Sequence, residues 1–65
     1  MKFHRTTFGF RYGDTEWTIK KTYDESIRDT MWRIEYAGER IQSWPYLKAA
    51  KKALVEYCNE YGKRL

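Results

Sequence analysis

The chain has 65 residues, a formal net charge of +4, and aromatic side chains at 18% of its positions. A chain of this length forms one domain and hides only about 60% of the surface that it exposes when unfolded, so its core needs large side chains. The single cysteine, Cys58, excludes an internal disulfide and is typical of a reducing compartment, so we expect a cytoplasmic protein. No apolar run is long enough for a membrane span and no secretion signal is visible, so we expect no membrane association.

The first third of the chain predicts two antiparallel strands. From Phe8 to Tyr12 aromatic residues alternate with small or basic ones, a two-residue period that is typical of a strand. Gly13-Asp14 favours a two-residue hairpin turn, which leads into a second strand at about residues 15–23. The turn predicts three opposed pairs: Tyr12 with Thr15, Phe10 with Trp17, and Phe8 with Ile19.

A third strand and a helix are predicted in the remainder. Residues 24–30 are polar and predict a loop, and residues 31–37 again alternate between apolar and polar. Gly38 ends this strand, Ser43 is predicted as the helix N-cap, and Pro45 falls in the first helical turn. The apolar residues of the helix recur at three- and four-residue steps and form one stripe: Leu47, Ala50, Leu54, Tyr57, Cys58 and Tyr61.

These elements predict an α+β fold for a single small domain over residues 1–65. We expect a three-stranded antiparallel sheet in the order 1-2-3, with one C-terminal helix packed on one face (βββα). Ile34 should face Ile19, and Tyr36 should face Trp17. The sheet surface beneath the helix should then carry Phe8, Phe10, Trp17, Ile19, Trp32, Ile34 and Tyr36. The residues expected to be largely buried are Trp17, Ile19, Ile34, Leu47, Ala50 and Leu54.

The other face of the predicted sheet is polar and modestly basic. One interpretation is a set of solvated cross-strand pairs, because Arg11 falls opposite Glu16 and Lys20 lies diagonal to Glu35. The other is a contact surface for duplex DNA, because a narrow sheet fits the major groove and its Arg, Lys and Thr side chains can donate to phosphates and base edges. The predicted nucleic-acid-binding residues are Arg5, Thr7, Arg11, Thr18, Lys20 and Arg33.

The predicted helix carries a second basic surface. Lys48, Lys51 and Lys52 fall beside the apolar stripe and are predicted as secondary phosphate contacts. A solvated helix face is the alternative interpretation, because lysine is a good helix former.

Several residues together resemble a family of DNA-binding domains. Gly9-Phe10-Arg11, Gly13, Trp17-Thr18-Ile19, Trp44, Leu47, Ala50 and Ala53 resemble the plant ethylene-response-factor DNA-binding domain over residues 8–57. The order of elements also resembles the arm-binding domains at the start of many tyrosine recombinases. The resemblance implies a three-stranded sheet lying in the major groove, with small alanines that let the helix sit close to it. The chain departs from the plant pattern because it lacks the second Arg and the Trp of the first hairpin and carries Glu16 and Glu35 on the predicted reading face.

The sequence contains no catalytic or metal-binding constellation. His4 is the only histidine and lies near the start of the chain, and Cys58 falls on the apolar stripe of the helix. One histidine and one cysteine do not make a metal site. We therefore expect no enzymatic activity, no cofactor and no small-molecule substrate.

Two functional hypotheses remain open. The first is a small non-enzymatic module that binds duplex DNA through the sheet face away from the helix. The alternative is a small protein-binding regulator, of bacteriophage or mobile-element type, that acts on a host protein. Glu16, Glu35 and the tyrosines Tyr12, Tyr23 and Tyr46 suit the alternative, because aromatic residues are enriched at protein interfaces.

Overall fold

The computed structural model of the protein describes residues 2–64, with side chains described for residues 2–60. In chain order it contains β1 (Phe3–Arg5), β2 (Gly9–Tyr12), β3 (Trp17–Asp24), β4 (Asp29–Tyr36), β5 (Glu39–Trp44) and α1 (Leu47–Arg64). The strands form one antiparallel sheet in the order β1-β2-β3-β4-β5. One helix on an antiparallel sheet confirms the predicted α+β class, but the prediction of three strands is wrong because the sheet has five. Within the described residues, no helix combines the length and apolarity needed to cross a membrane.

The predicted first strand is two strands joined by a tight turn. The backbone N–H of Thr6 donates to the carbonyl oxygen of Gly9 at 2.8 Å, and the N–H of Gly9 donates to Oγ1 of Thr6 at 3.1 Å. The turn folds β1 back onto β2, so that Arg5 lies opposite Phe10. Residues 6–8 include no Gly, Pro, Asn or Asp, so the usual signal for a turn is missing there.

The pairing of β2 with β3 is shifted by two residues from the predicted register. Phe10 faces Ile19 and Arg11 faces Thr18. The connection is longer than two residues, because the N–H of Thr15 donates to the carbonyl oxygen of Tyr12 at 3.1 Å before β3 begins at Trp17. A shift of two keeps each side chain on its predicted face, but it gives each one a different partner.

The fifth strand begins where the sheet was expected to end. Ala37 and Gly38 have φ angles of 51° and 85°, and two successive positive φ values are the signature of a two-residue hairpin turn. β5 then pairs with β4, and the register shifts between Ile34 and Glu35. The shift leaves Ile41 as an extra residue that interrupts the alternation of β5, and this interruption hid the strand in the sequence.

The helix starts later than predicted. Ser43, the expected N-cap, lies inside β5, and Pro45 precedes the helix instead of occupying its first turn. The helix begins at Leu47, and the N–H of Ala50 donates to the carbonyl oxygen of Tyr46 at 3.0 Å. The Ser43 prediction failed because a serine before an apolar run is an N-cap signal only when the preceding residues are not themselves in a strand.

The core lies between the helix and the central strands. Ile34 faces Ile19 and Tyr36 faces Trp17, as predicted. The buried apolar residues are Trp17, Ile19, Ile34, Ala50, Ala53 and Leu54. Five of the six expected positions are confirmed; Leu47 is only half-buried, while Ala53 is buried. Tyr57 and Cys58 pack against this cluster, and Tyr61 lies outside the described side chains.

The helix does not cover the whole sheet. Its backbone lies over β3, β4 and β5, whereas β1 and β2 are reached by helix side chains such as Lys51, which lies over the rings of Phe3 and Phe10. The helix side of the sheet is therefore partly open next to β1 and β2, while the other side is not covered by any described element.

Candidate nucleic-acid interface

Four of the six predicted contact residues share the sheet face away from the helix. Arg11 lies opposite Thr18, and Lys20 lies opposite Arg33, so all four point to the same side. Arg40 on β5 is opposite Glu35 and adds a basic side chain to that side. Arg40 could not be placed from the sequence, because the alternation of β5 is interrupted. We call this surface the open face and define it by Arg11, Thr18, Lys20, Arg33, Glu35 and Arg40.

The other two predicted contact residues lie elsewhere. Arg5 is opposite Phe10 and is therefore on the helix side of the sheet, and Thr7 lies in the turn between β1 and β2. Phe3 is also on the helix side, because it lies opposite Tyr12. The prediction that these residues share a surface with Arg11 is wrong, since the turn at residues 6–8 reverses the chain and resets the alternation.

Glu35 lies beneath two basic side chains of the open face. Its Oε1 is 3.3 Å from Nζ of Lys20, and its Oε2 is 3.8 Å from Nη1 of Arg33. Glu35 is only 6% exposed, whereas Lys20 and Arg33 are partly exposed. The basic groups are therefore more accessible to solvent and to a ligand than the carboxylate of Glu35, which compensates part of their charge.

Glu16 does not neutralise Arg11. It is exposed in the connection between β2 and β3, and the residue facing Arg11 is Thr18. The expected Arg11–Glu16 pair is therefore wrong. Within the described side chains, Arg11 makes no ion pair, and its exposed guanidinium is available to an anionic partner. His4 lies opposite Arg11 and extends this part of the open face toward the edge of the sheet.

Acidic side chains are found at one end of the same side of the sheet. Asp24 lies opposite Asp29, next to the turn between β3 and β4. Hydrogen bonds from the hydroxyl and then the backbone N–H of Ser26 hold the pKa of Asp24 below its ordinary value, so its carboxylate stays charged. Arg40 lines one cleft with Asp24 and Glu25, so its charge is partly compensated and an anionic ligand would meet the least compensated charge at Arg11.

The lysines of the helix cannot extend the open face, because the helix packs on the opposite side of the sheet. Lys48 and Lys52 are exposed there. Nζ of Lys51 lies 4.4 Å from the ring centroid of Phe10 and 5.3 Å from that of Phe3, within the range of cation–π attraction. These three lysines do not share a surface with Arg11, so a single duplex on the open face would not reach them.

A second basic surface, not predicted from the sequence, lies on the helix side next to β1 and β2. It is a cleft of about 350 Å³. The rings of Phe10 and Trp32 are 6.3 Å apart, and Nζ of Lys21 lies 5.8 Å from the ring centroid of Trp32. We call it the aromatic cleft; its main lining residues are Arg5, Phe8, Phe10, Lys21, Trp32 and Leu47. The alternation of β3 already places Lys21 on this side, but Arg5 could be placed there only once β1 was known.

Comparisons of the chain with protein-family models, with curated proteins and with solved structures found no match. The resemblance to plant and recombinase DNA-binding domains therefore stays a prediction. A function has to be inferred from the open face and the aromatic cleft.

Residues with potential catalytic or metal-binding chemistry are dispersed. His4 is exposed on β1, and Cys58 is a half-buried free thiol packed against the core. Among the side chains that the structure describes, no group of three or more His, Cys, Asp or Glu residues converges as metal ligands would.

Proposed function

We propose that the protein is a small non-enzymatic nucleic-acid-binding module that contacts duplex DNA with its open face. The observation that supports this most strongly is the convergence of four basic side chains on a surface that the helix leaves free: Arg11, Lys20, Arg33 and Arg40. Glu35, the carboxylate among them, is buried beneath two of these groups. Such a surface attracts phosphates by charge, which supplies most of the sequence-independent affinity of DNA-binding proteins.

The width of the open face indicates how it would meet a duplex. The four strands from β2 to β5 span about 14 Å between the first and the last, since neighbouring strands are about 4.8 Å apart. The major groove is about 12 Å wide, so the face lies across the groove and contacts phosphates on both sides of it. Contacts to phosphates fix position without conveying sequence, so we expect little sequence preference.

A titration of a short labelled duplex against salt concentration tests this proposal. Neutralising three or four phosphates implies a slope of about −3 to −4 in log affinity against log salt. Arg11→Ala should make the slope shallower by roughly 1, because Arg11 is exposed and unpaired within the described side chains. Two duplexes of unrelated sequence should bind with similar affinity.

Lys48→Ala is the matched control for the titration. It removes one positive charge from an exposed position on the helix, on the other side of the sheet. Affinity and salt slope should stay as in the parent protein. An equal loss in Lys48→Ala and Arg11→Ala, or no binding at tens of micromolar protein in low salt, would contradict the proposal.

A protein-binding regulator is the second candidate, and a specific observation favours it. Tyr23 and Ile27, near the β3–β4 turn, are 64% and 55% exposed, and large exposed apolar side chains are common in protein interfaces. These two residues lie outside the open face as defined by its six residues. Failure of the duplex titration would make this surface the better candidate for the protein's main interaction.

A further inference from the structure

Phe8 exposes a large apolar ring beside a hydrogen-bonded backbone position. Its side chain is 69% exposed, although it precedes β2 directly and lines the aromatic cleft. The backbone is held in place, because the N–H of Lys21 donates to the carbonyl oxygen of Phe8 at 2.9 Å. Because this backbone position is already hydrogen-bonded to β3, the exposed ring offers a flat surface to a ligand without a loop having to fold on binding.

The charges around Phe8 have one sign. Arg5 and Lys21 line the aromatic cleft, and the ammonium of Lys51 adjoins it above the ring of Phe10. Among the described residues that line the aromatic cleft, none is Asp or Glu. The cleft therefore combines cations with aromatic faces, and it fits a ligand that offers both anionic groups and flat rings.

Single-stranded nucleic acid has this combination of chemical groups. Its phosphates repeat along the chain, and its bases are free to stack on aromatic side chains, which is the usual mode of sequence-tolerant single-strand binding. A duplex hides the faces of its bases within the helical stack, and an acidic peptide has charge without a large aromatic face. We propose that the aromatic cleft binds single-stranded nucleic acid, with a base stacked on Phe8 and adjacent phosphates held by Arg5 and Lys21.

This site is independent of the proposed duplex-binding surface. Lys20 and Lys21 are neighbours on β3, but Lys20 points to the open face and Lys21 points into the aromatic cleft. The two surfaces lie on opposite sides of the sheet, so a variant can weaken one without touching the other. The failure of one proposal is therefore distinguishable from the failure of the other.

The test is a fluorescence anisotropy titration with labelled oligothymidylate and, in parallel, labelled oligouridylate, which separates DNA from RNA as the preferred strand. Loss of one stacked base corresponds to a loss in affinity of roughly 5- to 150-fold, which we expect for Phe8→Ala. Phe8→Tyr keeps the ring and should restore the affinity. Lys21→Ala should make the salt slope shallower by about 0.7, the value for one phosphate contact on a single strand.

Two matched variants serve as controls. Tyr23→Ala removes another highly exposed ring, and Tyr23 does not line the aromatic cleft. Arg11→Ala removes a cation from the open face. Both should bind the oligonucleotides as the parent protein does, and Phe8→Ala should bind duplex DNA unchanged.

Three results would overturn the proposal. The first is a failure of the aromatic cleft to contribute to binding. It would appear as an oligonucleotide affinity that is unchanged in both Phe8→Ala and Lys21→Ala, or as no detectable binding by the parent protein at tens of micromolar in low salt. The second is an equal loss in Arg11→Ala, which would place the strand on the open face. The third is equally tight binding of an oligoglutamate of the same charge, which would show that the aromatic cleft recognises charge without bases.

Discussion

Nζ of Lys20 on β3 lies 3.3 Å from Oε1 of Glu35 on β4, and this ion pair joins two neighbouring inner strands of the sheet on the open face. The two residues are diagonal neighbours, since Lys20 lies opposite Arg33 and Glu35 lies opposite Thr18. Arg33, two residues before Glu35 on the same strand, contacts the other oxygen of the carboxylate. One buried carboxylate therefore pairs with two basic side chains of the surface that we propose for DNA.

Replacing Glu35 by Gln should separate the stability of the fold from its affinity for DNA. We expect the free energy of unfolding to fall by about 1 to 3 kcal/mol, because the buried carboxylate loses its ion pairs with Lys20 and Arg33. Duplex affinity should rise and the salt slope should steepen by up to about 1, because the charges of Lys20 and Arg33 are no longer compensated. Urea unfolding and the duplex titration measure the two effects.

Glu56→Gln is the control for Glu35→Gln, since it removes a carboxylate from an exposed position on the helix. It should change neither the unfolding free energy nor the duplex affinity appreciably. Weaker duplex binding by Glu35→Gln, measured on folded protein, would indicate that the open face is not the DNA-binding surface.

Leu54 should be one of the most sensitive core positions. Its side chain is fully buried between the helix and the sheet. Leu54→Ala should lower the free energy of unfolding by about 2 to 5 kcal/mol, because it removes apolar contacts and leaves a cavity. Val55→Ala, at the half-buried neighbouring position, should cost less, and similar urea midpoints for the two variants would refute the assigned helix orientation.

The glycines at positions 9 and 38 should respond differently to alanine. A Cβ atom at Gly9 would overlap the carbonyl oxygen of Ile19, which belongs to the rigid backbone of β3. Gly38 has a φ of 85° and no atom near its added Cβ, so alanine there meets only backbone strain of about 1 to 2 kcal/mol. We expect Gly9→Ala to cost about 3 kcal/mol and to disturb the amide signals of β2 and β3. A smaller loss than in Gly38→Ala would argue against the observed β2–β3 register.

The ionisation of Asp24 should depend on Ser26. The Ser26 hydroxyl donates to Oδ1 of Asp24 at 2.6 Å and its N–H donates to the same atom at 2.9 Å, so both favour the charged carboxylate and lower its pKa. A lowered folded-state pKa stabilises the fold above the ordinary carboxyl range, and this contribution is lost as the pH falls through the lowered pKa.

Ser26→Ala should therefore raise the pKa of Asp24 toward its ordinary value, as followed by NMR titration of the carboxyl carbon. Ser26→Thr keeps a hydroxyl and should preserve the lowered pKa of Asp24. An Asp24 titration that is the same in Ser26→Ala as in the parent protein would show that the hydroxyl makes no hydrogen bond in solution.

The centre of the fold could be predicted from the sequence because two signals agree there. The alternation around Ile19 and Ile34 and the helical stripe through Ala50 and Leu54 each define one apolar face, and each face needs the other as a cover. The packing of these two apolar faces against each other follows from the need to bury both, and the structure confirms it.

The edges of the sheet could not be predicted, for local reasons. β1 is only three residues long and is joined to β2 by a turn without the usual turn residues, so the chain looked like one strand. In β5 the extra residue Ile41 breaks the two-residue period on which strand prediction depends. Short edge strands form because they pair with a neighbouring strand, and their own sequence pattern is too short or too irregular to identify them.

The residues of the candidate sites could be placed from the sequence on the inner strands but not on the edge strands. Arg11, Thr18, Lys20 and Arg33 lie on β2, β3 and β4 and were placed correctly on one face. The position of Arg5 depends on β1 and that of Arg40 on β5, so Arg5 was assigned to the wrong side and Arg40 was missed. The aromatic cleft could not be predicted because it requires β1 to be folded back beside β2.

The strands occupy the sheet in the same order as in the chain, so each hairpin closes between segments that are near one another in sequence. Such a topology favours rapid folding, and the eight-residue pairing of β3 with β4 is the natural place for it to start. β1 is a short edge strand, so its amides should exchange with solvent earlier than those of β4, although Phe3 packs against the core. β1 contributes Arg5 to the aromatic cleft, so single-stranded nucleic acid bound there should slow amide exchange in β1 and leave the amides of β4 unaffected.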